Sequence, residues 1–102
     1  MIKIREILRF LDESKEVFCF KGNEEDEITG FSSLPCYCSD TVTWCKKPES
    51  INQLGKSDDL YKLIVGPEGI SDIERCLNLI TVENPKKIFF MIVEKFFNCL
   101  LY

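Results

Sequence analysis

Apolar residues recur at Ile4, Ile7, Leu8 and Leu11, while Lys3, Arg5, Glu6, Arg9 and Asp12 fill the opposite side. That i, i+3, i+4, i+7 spacing predicts an amphipathic first helix of about three turns, ending near Ser14 and Lys15. Val17 to Phe20 is an unbroken apolar run of β-prone residues and reads as a buried strand. Lys21, Gly22 and Asn23 form a turn. The acidic run Glu24 to Glu27 has consecutive carboxylates without the spacing of a calcium loop, so it reads as a solvated connection.

Further on, Ile28 to Phe31 is a short strand and Ser32 to Asp40 a loop containing Pro35. Thr41 to Cys45 alternates in the manner of a half-buried strand. Pro48 at a first helical position, followed by Glu49, Ile51 and Leu54, predicts a short helix closed by Gly55. Leu60 to Val65 is the next strand, Gly66 to Gly69 a turn, Ile70 to Cys76 one or two helical turns, and Leu77 to Val82 another strand. Asn84 and Pro85 serve as N-cap and first residue of a final helix reaching about Leu100. Its stretch from Ile88 to Phe97 is apolar nearly all round. A sheet covers one side of such a helix, leaving the other as an exposed apolar patch or a docking surface. The order predicts one small α/β domain: a mixed sheet of about five strands packed against an N-terminal and a C-terminal helix. There are no internal repeats, low-complexity segments or interdomain linkers.

Composition narrows the function classes. The 102 residues are 45% hydrophobic without a single alanine, so the core is built from bulky strand formers. A net charge of −4 supplies no basic stripe, which argues against a nucleic-acid partner. The longest apolar run is far shorter than the ~20 residues of a membrane span, and no signal peptide is visible, so a cytoplasmic protein is expected. Six cysteines occur without a histidine. Cys36-Tyr37-Cys38 is one Cys-x-Cys, short of the two paired knuckles of a zinc site. Cys19 and Cys45 lie in strand-like runs and Cys76 and Cys99 on apolar helical faces, which predicts reduced, mostly buried thiols and no metal, with a zinc site on Cys36 and Cys38 as the weaker alternative. Catalysis finds no footing either. The commonest neutral-pH base is missing, Ser32 and Ser33 sit in a plain loop, and the glycines form no phosphate loop. No catalytic residue and no cofactor is expected.

Binding has more support. Trp44, the only tryptophan, ends a strand just before Lys46, Lys47 and Pro48. An indole face stacks on a planar base for ~1–3 kcal/mol, and two ammonium groups attract a diphosphate as mobile point charges. The plainer alternative makes Trp44 a core or edge aromatic beside two solvated lysines.

Several of these residues together resemble a known family. They are the amphipathic first helix, a strand closing near Gly22, Ile28-Thr29-Gly30, Trp44, Pro48, Gln53-Leu54, a strand near Leu63 to Val65, and Asn84-Pro85 before an apolar helix. This order is similar, over nearly the whole chain, to the N-terminal domain of the UDP-3-O-acylglucosamine N-acyltransferases of lipid A biosynthesis. The resemblance implies a uridine-recognition module in which an aromatic matching Trp44 stacks on the uracil. In the family an asparagine and a tyrosine hydrogen-bond the nucleotide. Here Lys47 and Ser50 stand in their places; Lys47 donates but cannot accept, and Ser50 is shorter than a tyrosine. The family's catalytic part, a left-handed β-helix of hexapeptide repeats, has no counterpart in these residues.

The resemblance therefore implies a substrate-recognition domain, not catalytic by itself, for a UDP-acylglucosamine-type nucleotide sugar. The candidate ligand-binding residues are Trp44, Lys46, Lys47 and Ser50. Either the chain is the N-terminal piece of a longer acyltransferase or it is a free-standing relative. In the first case its final helix rests on the β-helix domain or a neighbouring subunit. The alternative function is a stand-alone interaction module that docks through the apolar C-terminal helix without binding a nucleotide.

Overall fold

The spacing of Ile4, Ile7 and Leu11 forms the expected helix, and all three side chains are fully buried in the computed structural model, which describes residues 1–47, 49, 60–69 and 76–97. A two-residue strand β1 (Ile2–Lys3) leads directly into helix α1 (Ile4–Glu13). Glu6 in the first turn accepts the Lys3 N–H at 2.8 Å, satisfying a donor at the helix entry. At the exit the Ser14 N–H donates to Phe10 O at 3.0 Å, and Lys15 takes a left-handed backbone with φ 61°.

Among the described residues seven strands follow one another as β1, β2 (Cys19–Lys21), β3 (Glu27–Ile28), β4 (Gly30–Phe31), β5 (Thr41–Trp44), β6 (Leu63–Pro67) and β7 (Leu79–Val82), and helix α2 (Pro85–Phe97) comes after them. The main sheet has five strands in the order β2-β7-β6-β5-β4. β4 to β7 are mutually parallel, and β2 alone joins antiparallel, on the outer side of β7. The expected mixed five-stranded sheet with two helices is present, and a second, two-stranded sheet of β1 and β3 accompanies it.

Two apolar clusters sandwich the main sheet. Val42, Leu63, Val65, Ile80 and Val82 join α1 and α2 in the larger one, through Ile4, Ile7, Leu11, Ile88, Phe89, Ile92, Val93 and Phe97. Cys45, Ile64 and Leu79 point to the other side and meet Leu34, Tyr61, Tyr37 and Cys76. At the head of α2 the Lys87 N–H reaches Asn84 Oδ1 at 3.3 Å, so Asn84 caps the helix that Pro85 opens. Among the described residues no helix is long and apolar enough to cross a membrane.

Several boundaries differ from the sequence expectation. The Val17–Phe20 run is not a buried strand. β2 starts at Cys19 and is an edge, so Phe18 and Phe20 turn to the core while Cys19 is exposed and Val17 is 81% exposed. Ile28 to Phe31 splits between the two sheets, because Ile28 pairs with Ile2 while Gly30 and Phe31 pair with Thr41 and Val42. Thr41, Val42 and Thr43 are all buried rather than half-buried, because layers cover both faces of β5. β6 lies further along than expected. Leu60 is exposed, whereas Gly66 and Pro67 pair with Thr81 and Val82, leaving Glu68 and Gly69 as the turn. Apart from Glu49, the helix expected from Pro48 to Gly55 lies outside the described residues. So do Ile70 to Arg75 and the last residues of the final helix.

Candidate functional site

β5, β6 and β7 run parallel, so their carboxyl ends share one edge of the sheet. Trp44 stands at that edge on β5, paired with Val65 of β6, and the next residue ties in through Cys45 N–H to Val65 O at 3.0 Å. Strand alternation puts Trp44 on the helix side and Cys45 on the other. Lys46 and Lys47 follow and are exposed. Three of the four expected ligand-binding residues, Trp44, Lys46 and Lys47, thus lie together where β5 leaves the sheet. Ser50, like Pro48, lies outside the described residues.

Trp44 is half-buried, and one side of it rests on Phe89 of α2, with ring centroids 6.5 Å apart and planes inclined by 38°. Phe89 in turn packs edge-on to Phe31 of β4 at 6.4 Å and to Phe90 at 5.5 Å, and Phe31 meets Phe97 at 5.9 Å. Trp44 is therefore the β5 member of an aromatic cluster joining β4, β5 and α2. It meets the description of an edge aromatic with a supported ring. Such support lowers the entropy lost when a flat ligand is bound. The Phe31–Phe89 wall was not anticipated from sequence, because its members lie far from Trp44 in the chain; the apolar helix was the only signal that could have pointed to it.

Other hollows are lined by different residues. One of about 210 Å³ sits at the head of α2, where Lys87 Nζ lies 3.4 Å from Glu16 Oε1 beside Lys15, Glu68 and Glu83. A second, of about 390 Å³, runs between α1 and α2 along Phe10, Met91, Glu94 and Lys95. A third, of about 270 Å³, is mainly acidic, with Glu25, Asp26, Glu27 and Asp40 beside Lys62. The acidic run is more engaged than a plain solvated link. Glu25 bridges Lys3 at 3.0 Å and Arg5 at 3.1 Å, and the hydrogen bond from Lys3, aided by both positive charges, holds its carboxyl below the usual range. Among the described residues no group of three or more His, Cys, Asp or Glu side chains converges to hold a metal ion.

The thiols are less buried than their sequence positions suggest. Cys19, Cys36 and Cys38 are exposed, Cys76 is half-buried and Cys45 is buried; Cys99 lies outside the described residues. Cys19 alternates outward on an edge strand, and Cys76 lies in an extended bridge to Tyr61 instead of on a helix. Burial in the apolar layer raises the Cys45 thiol to about 11. Cys76 Sγ lies 2.9 Å from Asn78 O and donates to it.

Comparison with protein-family models, curated proteins and solved structures finds no match to this chain.

Proposed function

We propose that this chain is a non-catalytic nucleotide-sugar recognition domain, related to the one that precedes the β-helix in UDP-3-O-acylglucosamine N-acyltransferases. The observation that carries the reading is Trp44. It is a half-open indole, backed by Phe89, at the carboxyl end of a parallel strand and followed by exposed Lys46 and Lys47. Ligands of open parallel sheets gather outside the carboxyl ends of the strands. A base stacked on the free side of Trp44 gains ~1–3 kcal/mol, and the two lysines draw the diphosphate without fixing its geometry. Surface thiols at Cys19, Cys36 and Cys38, free of disulfides, suit a reducing compartment such as the cytoplasm.

Trp44 is also the only tryptophan, so its fluorescence reports the site directly. Titration with UDP-N-acetylglucosamine should quench its emission saturably, with uridine diphosphate acting likewise and inorganic phosphate having no effect. Lys46→Ala with Lys47→Ala should weaken binding and steepen neither transition nor melting, since both side chains are exposed. Unchanged emission together with no heat of binding at millimolar nucleotide overturns the reading.

A second reading rests on Phe90, which is 52% exposed on the outer side of α2. In this reading the chain is a stand-alone interaction module whose helix docks a partner or a second copy of the chain, and no nucleotide is bound. Sedimentation across a wide concentration range tests the self-associating form of this reading. A strict monomer at high concentration counts against it.

A further inference from the structure

The outer side of α2 carries its charges in an order that the same helix, reversed, complements. Lys86, Phe90 and Glu94 recur every four residues and are all exposed, so they stand in one row along the helix. Phe90, 52% exposed, is the middle of the row, and its ring is steadied edge-on against Phe89 at 5.5 Å. The neighbouring cations lean elsewhere. Lys87 Nζ reaches Glu16 Oε1 at 3.4 Å, and Lys95 Nζ lies over the Phe10 ring of α1, 6.0 Å from its centroid. Beside the row, half-buried Met91 and Phe10 line the hollow of about 390 Å³ between the two helices, so the apolar surface extends past a single ring. An exposed apolar patch rimmed by charge marks a protein contact.

We infer that a second copy of this chain covers this face, its α2 antiparallel to the first and the two Phe90 rings meeting on the symmetry axis. Reversing the helix about Phe90 sets Lys86 of one copy opposite Glu94 of the other, and the symmetry repeats the pair. Each contact is thus reciprocal, as an isologous interface requires. A parallel arrangement would set Lys86 against Lys86 and Glu94 against Glu94, so charge selects the antiparallel one. The paired rings supply most of the attraction, while the exposed ion pairs set direction more than strength. One helix face is a small contact, so the dimer is weak and dissociates on dilution. The inference rests on the docking surface of the second reading and commits it to one occupant. It makes no use of Trp44, which lies against Phe89.

Sedimentation equilibrium of the full chain, from about 10 μM to about 1 mM, tests this pairing. The wild type should show a reversible monomer–dimer equilibrium, and Phe90→Ala should remove it. Lys86→Glu and Glu94→Lys should each weaken dimerisation at least about 10-fold, because each turns both symmetric pairs repulsive. The double variant Lys86→Glu/Glu94→Lys exchanges the charges, restores both pairs and should dimerise as the wild type does. An equimolar mixture of the two single variants should also dimerise, since the mixed dimer again sets opposite charges at both contacts. Far-UV circular dichroism confirms that each variant is folded. A wild-type dimer that Glu94→Lys leaves intact, or a charge exchange that restores nothing, overturns the antiparallel pairing; the second reading then survives if Phe90→Ala still dissociates the dimer. A wild type that stays monomeric at about 1 mM overturns the pairing and the self-associating form of that reading together.

Discussion

The side-chain amide of Asn78 donates to the Asp26 carboxylate at 2.9 Å, across more than half the length of the chain. The same nitrogen donates to the Lys62 carbonyl at 2.8 Å, and Oδ1 accepts the Asn23 N–H at 2.6 Å. Asn78 is 1% exposed, so these bonds form away from water and join the turn after β2, the approach to β6 and the start of β7. Asn78→Ala leaves a buried amide hydrogen and a carbonyl without partners and opens a small cavity. It should lower stability by about 2–4 kcal/mol. Asn78→Asp should do at least as much harm, since it sets a carboxylate against Asp26 and the Lys62 carbonyl. Urea denaturation followed by circular dichroism measures both, with the midpoint falling and the slope retained.

The turn that Asn78 holds has its own requirement. Gly22 has φ 140°, and a Cβ there would come within 2.9 Å of the Asn78 Cα, a backbone atom that cannot swing aside. Gly69 also has a positive φ, of 90°, but a Cβ on it meets nothing within 4 Å. Gly22→Ala should therefore cost more than about 2 kcal/mol, from clash and strain together. Gly69→Ala should cost about 1 kcal/mol, from backbone strain alone. Equal midpoints for the two variants would show that contact with Asn78 does not matter.

These positions show what local pattern conveys and what it does not. The spacing of Ile4, Ile7 and Leu11 and the Asn84-Pro85 cap are signals within a few residues, and both helices formed where they point. Gly22 was legible as a turn residue, yet nothing nearby reveals that Asn78 lies against it. The division of Ile28 from Gly30 and Phe31 depends on Ile2, recruited from the N-terminus, and the burial of both faces of β5 depends on the loop carrying Leu34 and Tyr37. At the candidate site, Trp44 was recognisable as an aromatic at a strand end. Its wall of Phe89 and Phe31 is a tertiary fact. The exposure of Cys19 follows from β2 being an edge, which a short apolar run does not disclose.

Cys45 should behave unlike its exposed counterparts. At pH 8 a thiol raised to about 11 is almost wholly protonated, and Cys45 is 2% exposed besides. Alkylation of the native protein, read by peptide mass mapping, should label Cys19, Cys36 and Cys38 at least about 100-fold faster than Cys45. The shift also sets a pH dependence. Because the folded value lies above that of the unfolded chain, the neutral thiol stabilises the fold fully below about pH 8.5. That contribution disappears as pH rises through the folded value of about 11. The loss is of order 3 kcal/mol. Cys45→Ala removes this titration, so its urea midpoint should fall less steeply than the wild type's between pH 8.5 and 11. Parallel slopes would remove Cys45 from the alkaline transition.

Phe89 and Phe90 are neighbours in sequence, with rings 5.5 Å apart, yet they have opposite duties. Phe89 is 5% exposed and supports both Trp44 and Phe31, whereas Phe90 is 52% exposed. Phe89→Ala should cost about 3–5 kcal/mol, the range for a large aromatic removed from a core. Phe90→Ala should cost under about 1 kcal/mol, because water already reaches that ring. Phe89→Leu keeps most of the volume and should hold the fold while loosening the back of Trp44. Its emission should shift to the red and nucleotide quenching should weaken, whereas Phe90→Ala should alter neither. If the second reading holds, the pattern reverses: Phe90→Ala abolishes association in sedimentation, and Phe89→Leu leaves association intact. Variants at one pair of adjacent residues thus distinguish the two readings.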